Sequence, residues 1–151
     1  MERITRTELA FEILALIRRR SVCERGQNAC IILRDNRIIS SGYNGPLDSV
    51  CNCDTSEPCK KSVHAELNAI LAAAKNGISI IGAQLICTSA PCPNCAMAIL
   101  QSGITQVWYK EEFRDMSGVE LLKSKGISVL HHEKTDSELH REHHSIRRTD
   151  S

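Results

Sequence analysis

Apolar residues recur along the first third of the chain with the spacing of a helix and then of strands. Thr5 and Glu8 form a capping-box pattern ahead of apolar residues on one helical face, which predicts a first helix ending near Arg20. Two β-prone runs follow at 29–33 and 37–41, and the short polar stretch between them is typical of a hairpin turn. The N-terminal part is therefore expected to form one helix and a hairpin.

The rest of the chain alternates helical and strand patterns beyond a polar loop at 42–61. Ser62 is expected to cap the second helix, and Ser117 with Glu120 repeats the capping-box pattern before the last one. The predicted helices lie at 65–74, 92–101 and 117–126, and the predicted strands at 84–88, 104–109 and 127–130. This alternation predicts an α/β fold, a three-layer α/β/α sandwich around a central five-stranded mixed sheet.

Length and charge favour a single soluble domain that acts on a small molecule. The chain has 151 residues, and its 19 basic and 18 acidic residues leave a net charge of +1. So small a charge does not predict a nucleic-acid partner or a membrane surface. No apolar run approaches the roughly 18 residues of a membrane span, and the N-terminus does not look like an export signal. We expect a cytoplasmic protein, with a catalytic domain at 1–132 and a polar tail or exposed helix at 133–151.

Two short motifs at helix starts carry the candidate chemistry. His64-Ala65-Glu66 opens the second predicted helix, and Pro91-Cys92-Pro93-Asn94-Cys95 opens the third. Two cysteines three residues apart point the same way, and a histidine from a neighbouring helix supplies a third ligand for zinc. The positive ends of the two helices are expected to stabilise both thiolates.

An acidic side chain that does not bind the metal, next to three protein ligands, is typical of a catalytic zinc site. Glu66 follows the histidine by two residues and is expected to face a fourth, open position, where zinc activates water. The alternative is a closed structural zinc with Glu66 merely solvated. The eight cysteines also allow disulfides, but the chain's size and the lack of an export signal favour metal binding in a reducing compartment.

At these residues the chain resembles the cytidine deaminase superfamily and, within it, the deoxycytidylate deaminases of phages and bacteria. His-x-Glu with Pro-Cys-x-x-Cys is the signature of zinc deaminases. The similarity includes the runs RIISSGYNGP at 37–46 and HAELNAIL at 64–71, and extends from about residue 21 to residue 115. The resemblance implies a cytidine-deaminase-like fold. It also implies that dCMP and water give dUMP and ammonia, which feeds thymidylate synthesis.

The resemblance also implies roles for individual residues. Glu66 would move protons between water, the ring N3 and the departing amine. Asn44 would bond the sugar, the Ala65 backbone N–H would hold the base carbonyl, and Thr88 would line the pocket. For Asn44 the alternative is a turn residue that tolerates positive φ.

Regulation and assembly are implied in the same way. Relatives are commonly switched by dCTP and dTTP, which would bind with Mg²⁺ at a loop that corresponds to Gly42, Tyr43 and Gly45. A homo-oligomer, often a hexamer, is implied as well.

Arg25 lies where the chain departs from the family. Relatives read Cys-x-Arg, a short spacer and Val-Gly-Ala, whereas residues 23–29 read CERGQNA, one residue shorter. Arg25 stays a candidate for the substrate phosphate, because a guanidinium matches phosphate oxygens. An exposed surface arginine is the alternative.

The remaining cysteines divide into two groups. Cys23, Cys51, Cys53 and Cys59 lie in polar loops and could form a second, structural zinc site, as in some phage relatives, or stay free thiols. Cys30 and Cys87 fall in predicted strands and are expected to be small core residues.

Four competing functions remain open. A tRNA adenosine deaminase shares both motifs, but the near-neutral charge and the GYNGP loop favour a nucleotide substrate. Riboflavin-pathway and guanine deaminases match less well. A catalytically silent, zinc-stabilised module that binds nucleotides would have no use for Glu66.

Overall fold

A computed structural model describes residues 1–47 and 61–133. It begins with helix α1 (Arg6–Ile17), followed by a 3₁₀ turn at Arg18–Arg20. The predicted capping box is confirmed: Thr5 Oγ1 accepts the Glu8 N–H at 3.1 Å, and the Glu8 carboxylate accepts the Thr5 N–H at 2.7 Å.

Five strands form one mixed sheet and two short ones form a separate ladder. In chain order they are β1 (Ala29–Arg34), β2 (Arg37–Tyr43), β3 (Gly45–Pro46), β4 (Ser62–Val63), β5 (Gln84–Ser89), β6 (Gln106–Glu111) and β7 (Ser128–His131). The large sheet has the order β2-β1-β5-β6-β7. Strand β1 is antiparallel to both β2 and β5, and β5, β6 and β7 run parallel to one another. The β1–β2 hairpin turns at Asp35 and Asn36, whose φ angles of 51° and 61° suit these residue types.

The helices cover both faces of the sheet. Helices α2 (Ala65–Lys75), α3 (Pro93–Ser102) and α4 (Ser117–Ser124) lie on one face, and α1 lies on the other. Neighbouring strand residues point to opposite faces, so Ile31 and Ile86 pack with α1 while Ile32 and Leu85 join the core under α2 and α3. The three-layer sandwich with a five-stranded mixed sheet is confirmed.

Cys30 and Cys87 are core residues, as predicted. They are partners across β1 and β5 and are 0% and 1% exposed. Burial raises the pKa of both thiols, so both stay neutral in the core.

Two predicted caps are wrong. Ser62 lies in β4, and the residue before α2 is His64, which makes no side-chain cap bond. Met116 takes the cap position of α4, and the Ser117 N–H is satisfied by Asp115 Oδ1 at 2.9 Å. Both serines match the local sequence pattern of a helix cap. Ser62 is instead paired with β3 in a short ladder, and at α4 the Asp115 carboxylate accepts a backbone N–H.

Some element bounds also differ from the prediction. Strand β6 begins at Gln106 rather than 104, and the loop expected from residue 42 contains the end of β2 and all of β3. The polar segment predicted from residue 133 lies almost wholly outside the described residues, so the division into domain and tail stays a prediction. Within the described residues, no helix combines the length and apolarity that crossing a membrane requires.

Candidate active site

Two helix N-termini bring the three predicted metal ligands together. His64 precedes α2 and Cys92 precedes α3, both in extended backbone, and Cys95 lies in the first turn of α3. His64 Nδ1 lies 3.5 Å from Cys92 Sγ and 3.4 Å from Cys95 Sγ. Ordinary Zn–N and Zn–S bond lengths at tetrahedral angles put such atoms about 3.5 Å apart. The donor set and its spacing therefore fit zinc.

The two thiols titrate differently in the metal-free chain. Hydrogen bonds from Cys95 and His64 lower the pKa of Cys92 to about 4, although burial opposes the shift. Cys95 donates that bond and is itself buried, and both effects raise its pKa. The pKa shifts of the two thiols therefore run in opposite directions, and the expectation that both bind zinc as thiolates stays a prediction.

Glu66 is buried beside these ligands. It is 7% exposed and lines the cavity beside His64 and Cys92. Burial raises the pKa of the Glu66 carboxyl, while the charge of His64 works in the opposite direction. The alternative of a solvated Glu66 is wrong, because this carboxyl faces the ligand group from inside the fold.

Gly118 supports the ligand turn, and the sequence analysis missed it. A Cβ added there would lie 2.2 Å from the Pro91 carbonyl oxygen and 2.7 Å from the Cys92 carbonyl carbon. Only a residue without a side chain lets α4 lie this close to the backbone of Cys92. No local signal marks this glycine, because the contact joins residues from different elements.

A cavity of about 540 Å³ opens over the ligand group. The predicted residues on its wall are Arg25, Asn44, His64, Ala65, Glu66, Thr88 and Cys92, with Cys23 beside them. The wall also includes residues that the sequence analysis did not select, among them Asn28, Ser89, Phe113 and Arg114. The cavity has the size of a small-ligand site, and most of the predicted binding residues share it.

Asn44 and Thr88 are held by hydrogen bonds at the cavity wall. Asn44 Oδ1 accepts the Asn28 N–H at 2.8 Å, and Asn44 Nδ2 donates to the Gly26 carbonyl at 2.8 Å. Thr88 Oγ1 accepts the Ala29 N–H at 3.1 Å. The positive-φ residues other than glycine in the described chain are Asp35 and Asn36, so the alternative of Asn44 as a positive-φ turn residue is wrong.

The candidate effector residues lie away from this wall. Gly42 is buried in β2, where a Cβ would lie 2.6 Å from both the Ala65 carbonyl oxygen and the Ala69 nitrogen. It lets β2 pack against α2. Tyr43 is 38% exposed, and open space surrounds Gly45. Of the predicted structural zinc ligands, Cys23 is half-buried, and Cys51, Cys53 and Cys59 lie outside the described residues.

Comparison with known proteins agrees with this geometry. The family model of the cytidine and deoxycytidylate deaminase zinc-binding region matches residues 5–111. ComE operon protein 2 of Bacillus subtilis is 34% identical over 136 residues, which cover 85% of this chain and 72% of that protein. The deoxycytidylate deaminase of Enterobacteria phage T2 is 33% identical over 165 residues, covering 79% of this chain and 88% of that protein.

A solved structure shares the fold across its whole length. It is the crystal structure of dCMP deaminase from the cyanophage S-TIM5 in complex with dCMP and dUMP, with a TM-score of 0.78 and 29% identity. The match covers 87% of this chain and all of the cyanophage chain. The sequence similarity, the shared fold and the arrangement of the candidate metal ligands thus point to the same family. The chain belongs to the cytidine and deoxycytidylate deaminase family.

Proposed function

We propose that this chain is a zinc-dependent deaminase that converts dCMP and water to dUMP and ammonia. One observation carries the chemistry: the buried Glu66 carboxyl faces the group of His64, Cys92 and Cys95 at the wall of a cavity of nucleotide size. The similarity to deaminases named for dCMP supports the choice of substrate.

Each side chain at the centre has a distinct task. His64, Cys92 and Cys95 would hold zinc, which when bound supplies a Lewis acid that lowers the pKa of water from 15.7 to about 7. Glu66 takes a proton from the attacking water and gives it to the ring N3. It then takes the proton of the hydroxyl formed at C4 and passes it to the departing amine. Its burial suits this task, because a raised pKa makes the carboxylate a stronger proton acceptor than an exposed one.

The substrate would be held by groups from three elements. Ala65 is the first residue of α2, so its backbone N–H has no intrahelical acceptor and can bind the base carbonyl. Asn44 would use its remaining hydrogen-bonding capacity on the sugar, since Oδ1 and Nδ2 each have one more site. Thr88 would form part of the wall, and Arg25 would pair with the phosphate.

The main test is deamination of dCMP, dCTP and deoxycytidine by the zinc-loaded protein, followed by the loss of cytosine absorbance. We expect dCMP to be preferred, chelation to abolish turnover and added zinc to restore it. A zinc-loaded, folded protein that turns over none of the three would overturn the proposal. It would leave a tRNA adenosine deaminase or a silent nucleotide-binding module to be tested with tRNA and by dCMP binding.

We infer regulation and assembly from the family resemblance. The proposal is that dCTP and dTTP, with Mg²⁺, act at Gly42, Tyr43 and Gly45, and that the chain forms a homo-oligomer such as a hexamer. The exposure of Tyr43 is compatible with this role, whereas Gly42 would act through the packing of β2 on α2. Deamination rates measured with and without dCTP or dTTP test the regulation, and the molar mass from light scattering tests the assembly. Rates that neither nucleotide changes would contradict the first proposal, and a monomer would contradict the second.

A second zinc at Cys23, Cys51, Cys53 and Cys59 is also proposed, with free thiols as the alternative. It predicts two zinc ions per chain by elemental analysis, falling to one in Cys23→Ser with the catalytic zinc retained. One zinc per chain in both proteins would contradict it.

A further inference from the structure

Asn28 occupies the centre of a hydrogen-bonded group on the cavity wall. It lies directly before β1, between the end of β2 and the end of β5. Its backbone N–H donates to Asn44 Oδ1 at 2.8 Å, and its carbonyl accepts the Asn44 N–H at 3.2 Å. Its side-chain Oδ1 accepts hydroxyl protons from Thr88 at 3.0 Å and Ser89 at 2.7 Å.

Two hydroxyls face the same atom of the Asn28 side chain. In the structure this atom is Oδ1, which accepts from Thr88 and Ser89, while Thr88 Oγ1 also accepts the Ala29 N–H. With two hydroxyl protons, Oδ1 is saturated, and Nδ2 points away from β5.

The Nδ2 group is directed to the cavity. A Cβ placed on Gly26 would lie 4.0 Å from it, and both Gly26 and Asn28 line the cavity. Among residues 1–47 and 61–133, the hydrogen bonds of the Asn28 side chain are made by Oδ1 and none by Nδ2, and the residue is half-buried. A half-buried donor held in place without an acceptor is ready to bind a ligand oxygen.

We propose that Asn28 is a substrate-binding residue, whose Nδ2 donates a hydrogen bond to an oxygen in the sugar–phosphate part of the nucleotide. This inference rests on the proposed deamination of dCMP. The reacting carbon must lie at the ligand group of His64, Cys92 and Cys95. Asn28 instead shares its wall with Asn44 and with the loop of Arg25, the residues assigned to sugar and phosphate. The same contacts make it the residue that aligns Asn44 and Thr88.

Asn28→Asp removes the donor. The aspartate keeps an oxygen for the hydroxyls of Thr88 and Ser89 but replaces the N–H donor with a second, negatively charged acceptor. We expect KM for dCMP to rise on the order of tenfold or more, kcat to change less, and the melting temperature to stay near that of the parent. The matched control is Asn76→Asp, which adds the same charge at an exposed helix end.

Two readouts keep the inference falsifiable. A folded Asn28→Asp protein whose KM for dCMP equals that of Asn76→Asp would overturn it and leave Asn28 a purely structural residue. If Asn28→Asp does not fold, the side-chain amide signals of ¹⁵N-labelled, zinc-loaded parent protein are followed during titration with dUMP. A shift of the Asn28 amide pair supports the contact, and its constancy at saturation contradicts it. Both experiments start from a parent protein that turns over dCMP, so failure of the proposed function would be seen first.

Discussion

The cavity has two walls that are built in different ways. The ligand wall consists of His64, Glu66 and Cys92, with Cys95 behind them, and all four lie at or within three residues of a helix start. The loop wall consists of Cys23, Arg25, Gly26 and Asn28 together with Asn44, and it is held by hydrogen bonds between residues sixteen or more positions apart. The ligand wall therefore depends on local helix geometry, and the loop wall depends on how three strand ends meet.

We infer from this difference that the ligand wall carries out the chemistry and the loop wall recognises the nucleotide. A metal site needs donors placed to within a few tenths of an ångström, which rigid helix starts provide. A nucleotide has many oxygens, and a loop that carries amides and a guanidinium can match them with less precise placement. We expect substitutions in the ligand wall to affect turnover and metal content, and substitutions in the loop wall to affect KM and stability.

The largest effect is expected for Glu66→Gln. The amide cannot carry the proton, so kcat for dCMP should fall by about 10²- to 10⁴-fold while zinc content and melting temperature are retained. Glu120→Gln, an exposed acid in the first turn of α4, is the matched control. Ordinary turnover by Glu66→Gln would refute the assigned proton transfer.

Gly118→Ala tests the support of the ligand wall. The new methyl group would clash with the backbone of Pro91 and Cys92, so we expect a loss of about 1–3 kcal/mol in the free energy of unfolding and weaker zinc binding. Denaturant unfolding and a competition titration with a zinc chelator measure the two effects. Gly45→Ala is the control, since nothing lies within 4 Å of its Cβ position. Equal zinc affinity in both variants would show that Gly118 does not position Cys92.

Asn44→Ala tests the loop wall. It removes the acceptor for the Asn28 N–H and the donor to the Gly26 carbonyl in a residue that is 8% exposed. We expect a loss of about 1–3 kcal/mol in the free energy of unfolding and a raised KM, with zinc content unchanged. Asn76→Ala, which removes an exposed side-chain bond to Ala72, should cost less. Loss of zinc from Asn44→Ala would break the distinction between the two walls.

The smallest effect is expected at the outer edge of the loop wall. Arg18 Nη1 lies 2.9 Å from Glu111 Oε1, with side chains 31% and 49% exposed, while Arg18 Nε donates to the Gln27 carbonyl. Glu111→Gln keeps the Gln27 bond and should change the free energy of unfolding by less than about 1 kcal/mol, and by less still at high salt. A larger, salt-insensitive change in denaturant unfolding would mean that this ion pair holds the loop wall.

The comparison also explains which predictions were correct. Strand and helix positions followed from apolar periodicity, and the capping box at Thr5 and the hairpin turn at Asp35 followed from short-range hydrogen bonding. Ser62 and Ser117 have the same local appearance as Thr5, yet a pairing strand and a nearby aspartate displaced them from the cap role. Local patterns were thus reliable where no other residue took over the bond or the position that the pattern predicted.

By itself, the sequence determined the α/β alternation, the candidate metal ligands and the proposed proton-carrying acid, because each depends on residues within a few positions of one another. Only the tertiary structure decided that Gly118 supports Cys92 and that Asn28 joins Asn44 to Thr88. These features come from the packing of separate elements within hydrogen-bond or van der Waals distance, and neighbours along the chain carry no information about that packing.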